Sequence, residues 1–118
     1  MTEELKVTVE RRGAGAILHT KGYINNVGGE EIANRAYELM DKGVTTLLLN
    51  LRETKIVNSI GISILIEIIE KMMEKGGKLA FCCLTPVIQK TFQIMGLAQY
   101  ASIFADEESA VEELKLQS

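Results

Sequence analysis

Apolar and polar residues alternate over residues 5–10, with Leu5, Val7 and Val9 on one side, which predicts a half-buried strand. Residues 11–15 read as a turn and residues 16–20 as the antiparallel hairpin partner of that strand. Residues 21–26 then leave the sheet in a loop. From Gly29 the period changes. Ile32, Ala33, Ala36, Leu39 and Met40 recur at helical intervals until Gly43, and Glu30 and Glu31 bring negative charge to the helix start. Residues 45–51 form a continuous apolar run, as expected of a central strand covered on both faces. A short polar loop over residues 52–57 leads to a second helix, residues 60–74, which Gly76 and Gly77 end. Residues 78–84 make another buried strand, and Pro86 opens a helix over residues 87–95 that Gly96 stops. Residues 101–104 read as a short edge strand, and Asp106 caps a last helix through Leu114. Strands alternating with helices in the second half imply parallel pairing through right-handed crossovers. The expected fold is α/β: a small mixed sheet with an antiparallel N-terminal hairpin, parallel core strands and about four helices, in one domain over residues 1–118.

The helix over residues 60–74 separates into two faces. Ser63, Glu67, Glu70 and Glu74 share the polar side, and Leu65, Ile68, Ile69 and Met72 define the buried side. Ile60 and Ile64 break the pattern, because both fall toward the polar arc near the helix start. Covering loop residues would account for them as ordinary packing. A small exposed apolar patch beside Ser59 would account for them as a docking surface.

Ser59 itself stands at the threshold of this helix, where unpaired N–H groups and the positive end of the dipole gather. Serine is a favoured N-cap, so capping alone is one account of it. The same features would hold a phosphate on its hydroxyl. Gly61 points beyond capping. A glycine in a first turn costs helix stability, so close backbone approach or a small profile is expected there.

At 118 residues, with 47% hydrophobic and 25% charged residues, the chain has the composition of a globular domain able to bury a core without staples. A net charge of −3 with scattered Lys and Arg argues against a nucleic-acid binder or a membrane-surface protein. The acidic opening Met1-Thr2-Glu3-Glu4 is unlike a secretory signal. The longest apolar segment is interrupted by Glu67, Glu70 and Lys71, too charged to span a bilayer. A cytoplasmic protein with no membrane insertion is the expectation. Cys82 and Cys83 are adjacent, so a bridge between them would be strained and would staple nothing; two free thiols are expected, one buried and one facing the other side.

Enzyme chemistry finds little support. His19 alternates within a strand and lacks a recognisable partner. No His, Cys and carboxylate residues have metal-ligand spacing, and neither GxGxxG nor a P-loop is present, so no metal and no cofactor is expected. The strand end Leu47-Leu48-Leu49-Asn50 lacks the acid cluster of a magnesium-dependent phosphoaspartate site. Cys82-Cys83 is not CxxC.

Gly22-Tyr23-Ile24-Asn25, then Asn58-Ser59-Ile60-Gly61-Ile62, then Gly96-Leu97 with Ile103-Phe104, in this order and spacing, together resemble the STAS domain family, specifically its stand-alone bacterial anti-sigma-factor antagonists. Gly22-Tyr23-Ile24-Asn25 is similar to the family's Gly-x-Leu/Ile-Asp loop. Leu48-Leu49-Asn50-Leu51 followed by Ile56-Val57-Asn58-Ser59-Ile60-Gly61-Ile62 resembles its Asp-Leu strand end and Asp-Ser-x-Gly-Leu switch. Gly96-Leu97, Tyr100, Ile103-Phe104 and Glu108-Ser109-Ala110 resemble its C-terminal segment. The resemblance implies a STAS-like fold and a non-enzymatic, partner-switching regulator of transcription. It further implies a partner, an anti-sigma factor with serine-kinase activity, and a phosphatase that resets the switch. Carried over, Ser59 is the phosphorylation site, and Asn25, Asn26, Asn58, Ser59, Ile60, Gly61 and Ile64 form the partner-binding face.

Three departures stand out. Asn25, Asn50 and Asn58 replace aspartates of the family pattern. An amide oxygen still accepts hydrogen bonds, but any electrostatic role in kinase recognition is lost. Retention of Ser59 and Gly61 favours a site still phosphorylated, by a kinase tuned to a less acidic surface. The alternatives are an unphosphorylated scaffold subunit of a signalling or lipid-transport complex, or a small α/β enzyme using the thiols of Cys82 and Cys83.

Overall fold

The computed structural model describes residues 5–116. The acidic opening read at residues 1–4 lies outside them. Five strands form one sheet in the order β1-β2-β3-β4-β5. Strands β1 (Lys6–Arg12) and β2 (Gly15–Ile24) make the antiparallel hairpin, and β3 (Thr46–Val57), β4 (Lys78–Cys82) and β5 (Ser102–Phe104) add in parallel. Helices α1 (Asn26–Asp41), α2 (Ser59–Glu74) and α3 (Pro86–Ile94) follow β2, β3 and β4, and α4 (Glu107–Glu113) follows β5. A 3-10 turn at Leu97–Gln99, absent from the sequence reading, links α3 to β5. The mixed sheet, its antiparallel start and its four helices agree with the expected architecture.

Period-2 alternation assigns the two faces. Ala16 and Leu18 of β2, Leu47, Leu49 and Leu51 of β3, and Leu79 and Phe81 of β4 face the larger core. There they meet Ile32 and Ala36 of α1, Leu65, Ile68 and Met72 of α2, and Ile88 and Phe92 of α3. Phe81 and Phe92 pack edge to face at 4.9 Å between centroids, a geometry worth about 0.5–1.5 kcal/mol beyond the area buried. The opposite face carries Ile17, Leu48, Ala80 and Cys82 beneath Ala110 of α4. Being covered on both sides, β3 needs apolar residues at every position from Leu47 to Leu49, which explains its unbroken run.

Several boundaries differ from the sequence reading, four of them with consequences for the sheet or the site. Residues 21–24 continue β2, and residues 52–57 are not a loop but the second half of β3. These segments pair with each other, with register irregularities between His19 and Lys21 and between Lys21 and Tyr23. Backbone hydrogen bonding, the buried contact of Thr20 Oγ1 with Thr54 Oγ1 at 2.6 Å, the Lys21–Glu53 pair and the buried Ile24 hold the extension. Most of its side chains are polar or exposed, so it reads as loop. Helix α1 starts at Asn26 rather than Gly29. Strand β4 ends at Cys82, because Cys83 takes a left-handed conformation with φ of 62° that leaves the sheet.

Asn50, almost fully buried near the end of the apolar stretch of β3, ties the two layers together. Its Oδ1 accepts the Arg52 backbone N–H at 2.9 Å, and its Nδ2 donates to Glu107 Oε1 of α4, also at 2.9 Å. An aspartate here would lose that donor and face a second carboxylate. Asn50→Asp is therefore expected to lower stability by about 1–3 kcal/mol near neutral pH, read as a shifted urea midpoint. Stability should return as the pH approaches about 4, or when Glu107→Gln is added. An unshifted midpoint would mean that the tie contributes nothing.

Candidate functional site

The parallel strands β2 and β3 end side by side and feed directly into α1 and α2, so both helix starts meet at one end of the sheet. The two starts share a device, Asn-x-x-Gly. Asn25 caps α1 by accepting the Gly28 N–H at 2.8 Å, and Asn58 caps α2 by accepting the Gly61 N–H at 2.8 Å. Asn58, not Ser59, is thus the N-cap of α2. The correction follows from the strand's length: β3 runs to Val57, leaving one residue to make the turn into the helix.

Gly61 answers to close approach. The Asn58 N–H donates to the Ile24 carbonyl oxygen at 3.1 Å. A Cβ on residue 61 would lie 2.3 Å from that same oxygen, well inside contact distance. The tip of β2 and the first turn of α2 are therefore locked together, and only glycine fits between them. Gly61 is buried and presents no surface; it sets the position of its exposed neighbours. Gly29 of α1 plays the matching part against α2, since a Cβ there would come within 2.8 Å of Ile64 Cδ1. Ile64 is accordingly half-buried against α1 and the main core, and covering accounts for most of it.

Ser59 occupies the first helical position, exposed to solvent. Ile62 is the first residue whose N–H bonds back, to the Asn58 carbonyl at 2.9 Å. With the Gly61 N–H taken by the cap, the N–H groups of Ser59 and Ile60 are left at the helix end with no acceptor inside the helix. An anion on the Ser59 side chain meets those donors and the positive end of a sixteen-residue helix. One turn on, Ser63 Oγ donates to the Ser59 carbonyl at 3.1 Å and stays on the exposed face.

Ile60 is 54% exposed, so the apolar patch beside Ser59 exists, narrowed to Ile60 rather than shared equally with Ile64. Two further apolar residues that sequence reasoning missed, Val27 in the first turn of α1 and Ile56 near the end of β3, are exposed at the same end. Ile56 lay in the loop read over residues 52–57, and Val27 fell between the loop read to residue 26 and the helix read from Gly29; the positions of the two Asn-x-x-Gly starts were the available signal. Asn25 is half-buried at its cap, and Asn26 is exposed as the first residue of α1. Beside the patch, Lys21, Tyr23, Arg52, Glu53, Lys55 and Ile56 line a cleft of about 340 Å³, with Lys21 and Glu53 paired at 3.7 Å.

The other candidate chemistries do not assemble. His19 lies 3.4 Å from Glu10 Oε1 and 3.6 Å from Glu107 Oε1 on the α4 side of the sheet. His19, Asn50 and Cys82 stand in register on β2, β3 and β4, which puts the His19 and Cys82 Cα atoms two strand spacings, roughly 10 Å, apart. Cys82 is fully buried, and burial pushes its thiol up, with Cys83 adding to the effect. Cys83 is half-buried and receives a hydrogen bond from Arg52 Nη2 at 3.7 Å. Among the described residues no group of three or more His, Cys, Asp or Glu side chains is arranged to hold a metal, and no helix is long and apolar enough to cross a membrane.

A mixed five-stranded sheet with three helices on one face, one on the other, and a serine-led helix start at the parallel strand ends defines a class: the STAS fold. The chain belongs to the STAS domain family, whose model matches residues 6–110. It is 22% identical over 111 residues to the Bordetella bronchiseptica protein named "Putative anti-sigma factor antagonist BtrV", covering 94% of this chain and 96% of that one. An anti-sigma factor antagonist from Mycobacterium paratuberculosis superposes with a TM-score of 0.85 at 15% identity, covering 98% of this chain and 99% of the other. The anti-sigma factor antagonist SpoIIAA superposes in its unphosphorylated form with a TM-score of 0.80 at 19% identity, covering 93% and 96%. SpoIIAA from Bacillus in its phosphorylated form gives 0.74 at 19% identity, covering 92% and 99%.

Two substitutions separate the lock from the cap. Asn58→Ala removes one acceptor and is expected to cost about 1 kcal/mol. Gly61→Ala drives a methyl into the Ile24 backbone and is expected to cost more, up to about 3 kcal/mol. Denaturant midpoints at an unchanged slope would establish that ranking; the reverse order would show that the helix start relaxes away from β2.

Proposed function

We propose that this chain is an anti-sigma-factor antagonist that binds an anti-sigma factor with serine-kinase activity, and that phosphorylation of Ser59 controls the binding. One observation carries the reading: an exposed hydroxyl at the first position of α2, beside exposed Ile60, on a helix start whose free N–H groups suit an anion. Its likeness to the anti-sigma factor antagonist SpoIIAA, solved in both unphosphorylated and phosphorylated forms, supports it. Asn25, Asn26, Asn58, Ser59 and Ile60 form the face that meets the partner, with Val27 and Ile56 extending it. Ile64 and Gly61 support that face from beneath.

The switch is electrostatic. Phosphate adds about −1.5 to −2 charges at neutral pH. The helix start accommodates that charge, whereas an apolar partner surface closing over it would have to strip its water without compensation. The same group is thus tolerated by the fold and rejected by the contact. A phosphatase completes the cycle. The protein acts by binding and carries out no catalysis of its own.

Intact-mass spectrometry of the chain purified from its native cell should find a phosphate-sized increment located at Ser59. Ser59→Ala should remove it while leaving fold and partner binding intact, and label persisting in that variant would sink the assignment. Ser59→Asp should weaken partner binding about tenfold or more with the unfolding midpoint unchanged. Ile60→Glu should do the same, because Ile60 is exposed; a collapse of stability instead would make it a core residue.

A further inference from the structure

The C-terminal half of α2 borders a second surface. Ile66 and Met73 of α2, with Met95 and Tyr100 from the segment joining α3 to β5, floor a groove of about 700 Å³, and Glu70 and Glu74 stand on its rim. Met73 is 54% exposed and Tyr100 57%. Singly such residues would be ordinary surface; gathered around one concavity they make an apolar patch of the kind that partners cover. Exposed methionines suit such a surface, since an unbranched thioether repacks against varied side chains.

Charge selects the occupant. Among the described residues, the only charged side chains lining the groove are the two carboxylates. Lys71, the basic residue within this stretch of α2, is drawn away over the Tyr37 ring of α1, 5.4 Å from its centroid. An anionic lipid surface or an acidic segment would be repelled by the rim. The lined stretch of α2, Ile66 to Glu74, spans about 12 Å, two turns of a helix laid against it. We propose that this groove binds a basic amphipathic helix, its apolar stripe seated on Met73, Met95 and Tyr100 and its Lys or Arg flanks meeting Glu70 and Glu74. The surface begins about 10 Å along the helix axis from Ser59, with Met73 about 21 Å away, so its occupancy does not depend on the Ser59 reading.

The test uses a fluorescein-labelled synthetic Leu/Lys peptide with leucines at helical spacing, titrated with the full chain and read by anisotropy. Binding should be about tenfold tighter than for a scrambled peptide of the same composition or a Leu/Glu counterpart. Glu70→Gln with Glu74→Gln, both exposed, should weaken it about tenfold, and Met73→Ser should weaken it as well. Ser59→Asp should leave it unchanged, as should Glu108→Gln with Glu112→Gln on α4. Equal loss in the α4 pair, or equal affinity for the scrambled peptide, would reduce the effect to general charge attraction and overturn the proposal. Sedimentation should show a monomer across concentrations; a dimer dissolved by Met73→Ser would put a second copy in the groove and overturn it equally.

Discussion

The Ile24 carbonyl is the point on which the candidate site turns. Its oxygen accepts the Asn58 N–H and occupies the space that any side chain at residue 61 would need. Three elements are thereby fixed at once: the end of β2, the turn out of β3 and the first turn of α2. Capping follows from this placement, because Asn58 is held in an extended conformation that aims its side-chain oxygen at the Gly61 N–H. Exposure of Ser59 and Ile60 follows too. With Gly61 and Ile62 turned inward, the two residues before them face out.

The three asparagines that replace family aspartates have different physical reasons. At residues 25 and 58 the fold asks only for an acceptor oxygen, which amide and carboxylate both supply. A carboxylate would gain a few tenths of a kcal/mol to about 1 kcal/mol from the helix dipole, so the amides give up a little stability and remove two negative charges beside Ser59. Asn50 is another matter. Its amide nitrogen is a donor that Glu107 requires, and an aspartate could not serve. The change at residue 50 is internal to the contact between β3 and α4, whereas on the proposed reading the changes at residues 25 and 58 alter what a partner meets.

Much of this was legible in the sequence, and the omissions share a cause. Buried elements announce themselves through period and apolarity, so β3 as the central strand, the buried face of α2 and the cap at Asp106 were all readable. The extensions of β2 and β3 were not, because apart from Ile24 and Val57, which touch the core, their side chains are mostly polar or exposed. Their order comes from pairing with each other, a tertiary fact that no local pattern records. Misreading them hid Ile56 and shifted the cap of α2 by one residue. Ile64 was left open between packing and docking for a related reason. The wheel placed it on the polar arc, but a glycine on α1 lets that helix approach closely enough to cover it.

A site locked on three sides also constrains how regulation can work. A charge added at Ser59 finds donors already in place, so accommodating it demands no movement of α2 away from β2. The lock opposes such movement, since the Ile24 carbonyl would lose the Asn58 N–H and the helix its seat. On the proposed reading, the two states of the switch therefore share one backbone and differ at a single side chain. Discrimination then falls on the partner, which must desolvate either a neutral hydroxyl or a dianion in the same position, next to an isoleucine that it has to cover in both cases. The cost of burying the dianion, several kcal/mol where no cation answers it, is enough to separate bound from free without any conformational change in this chain.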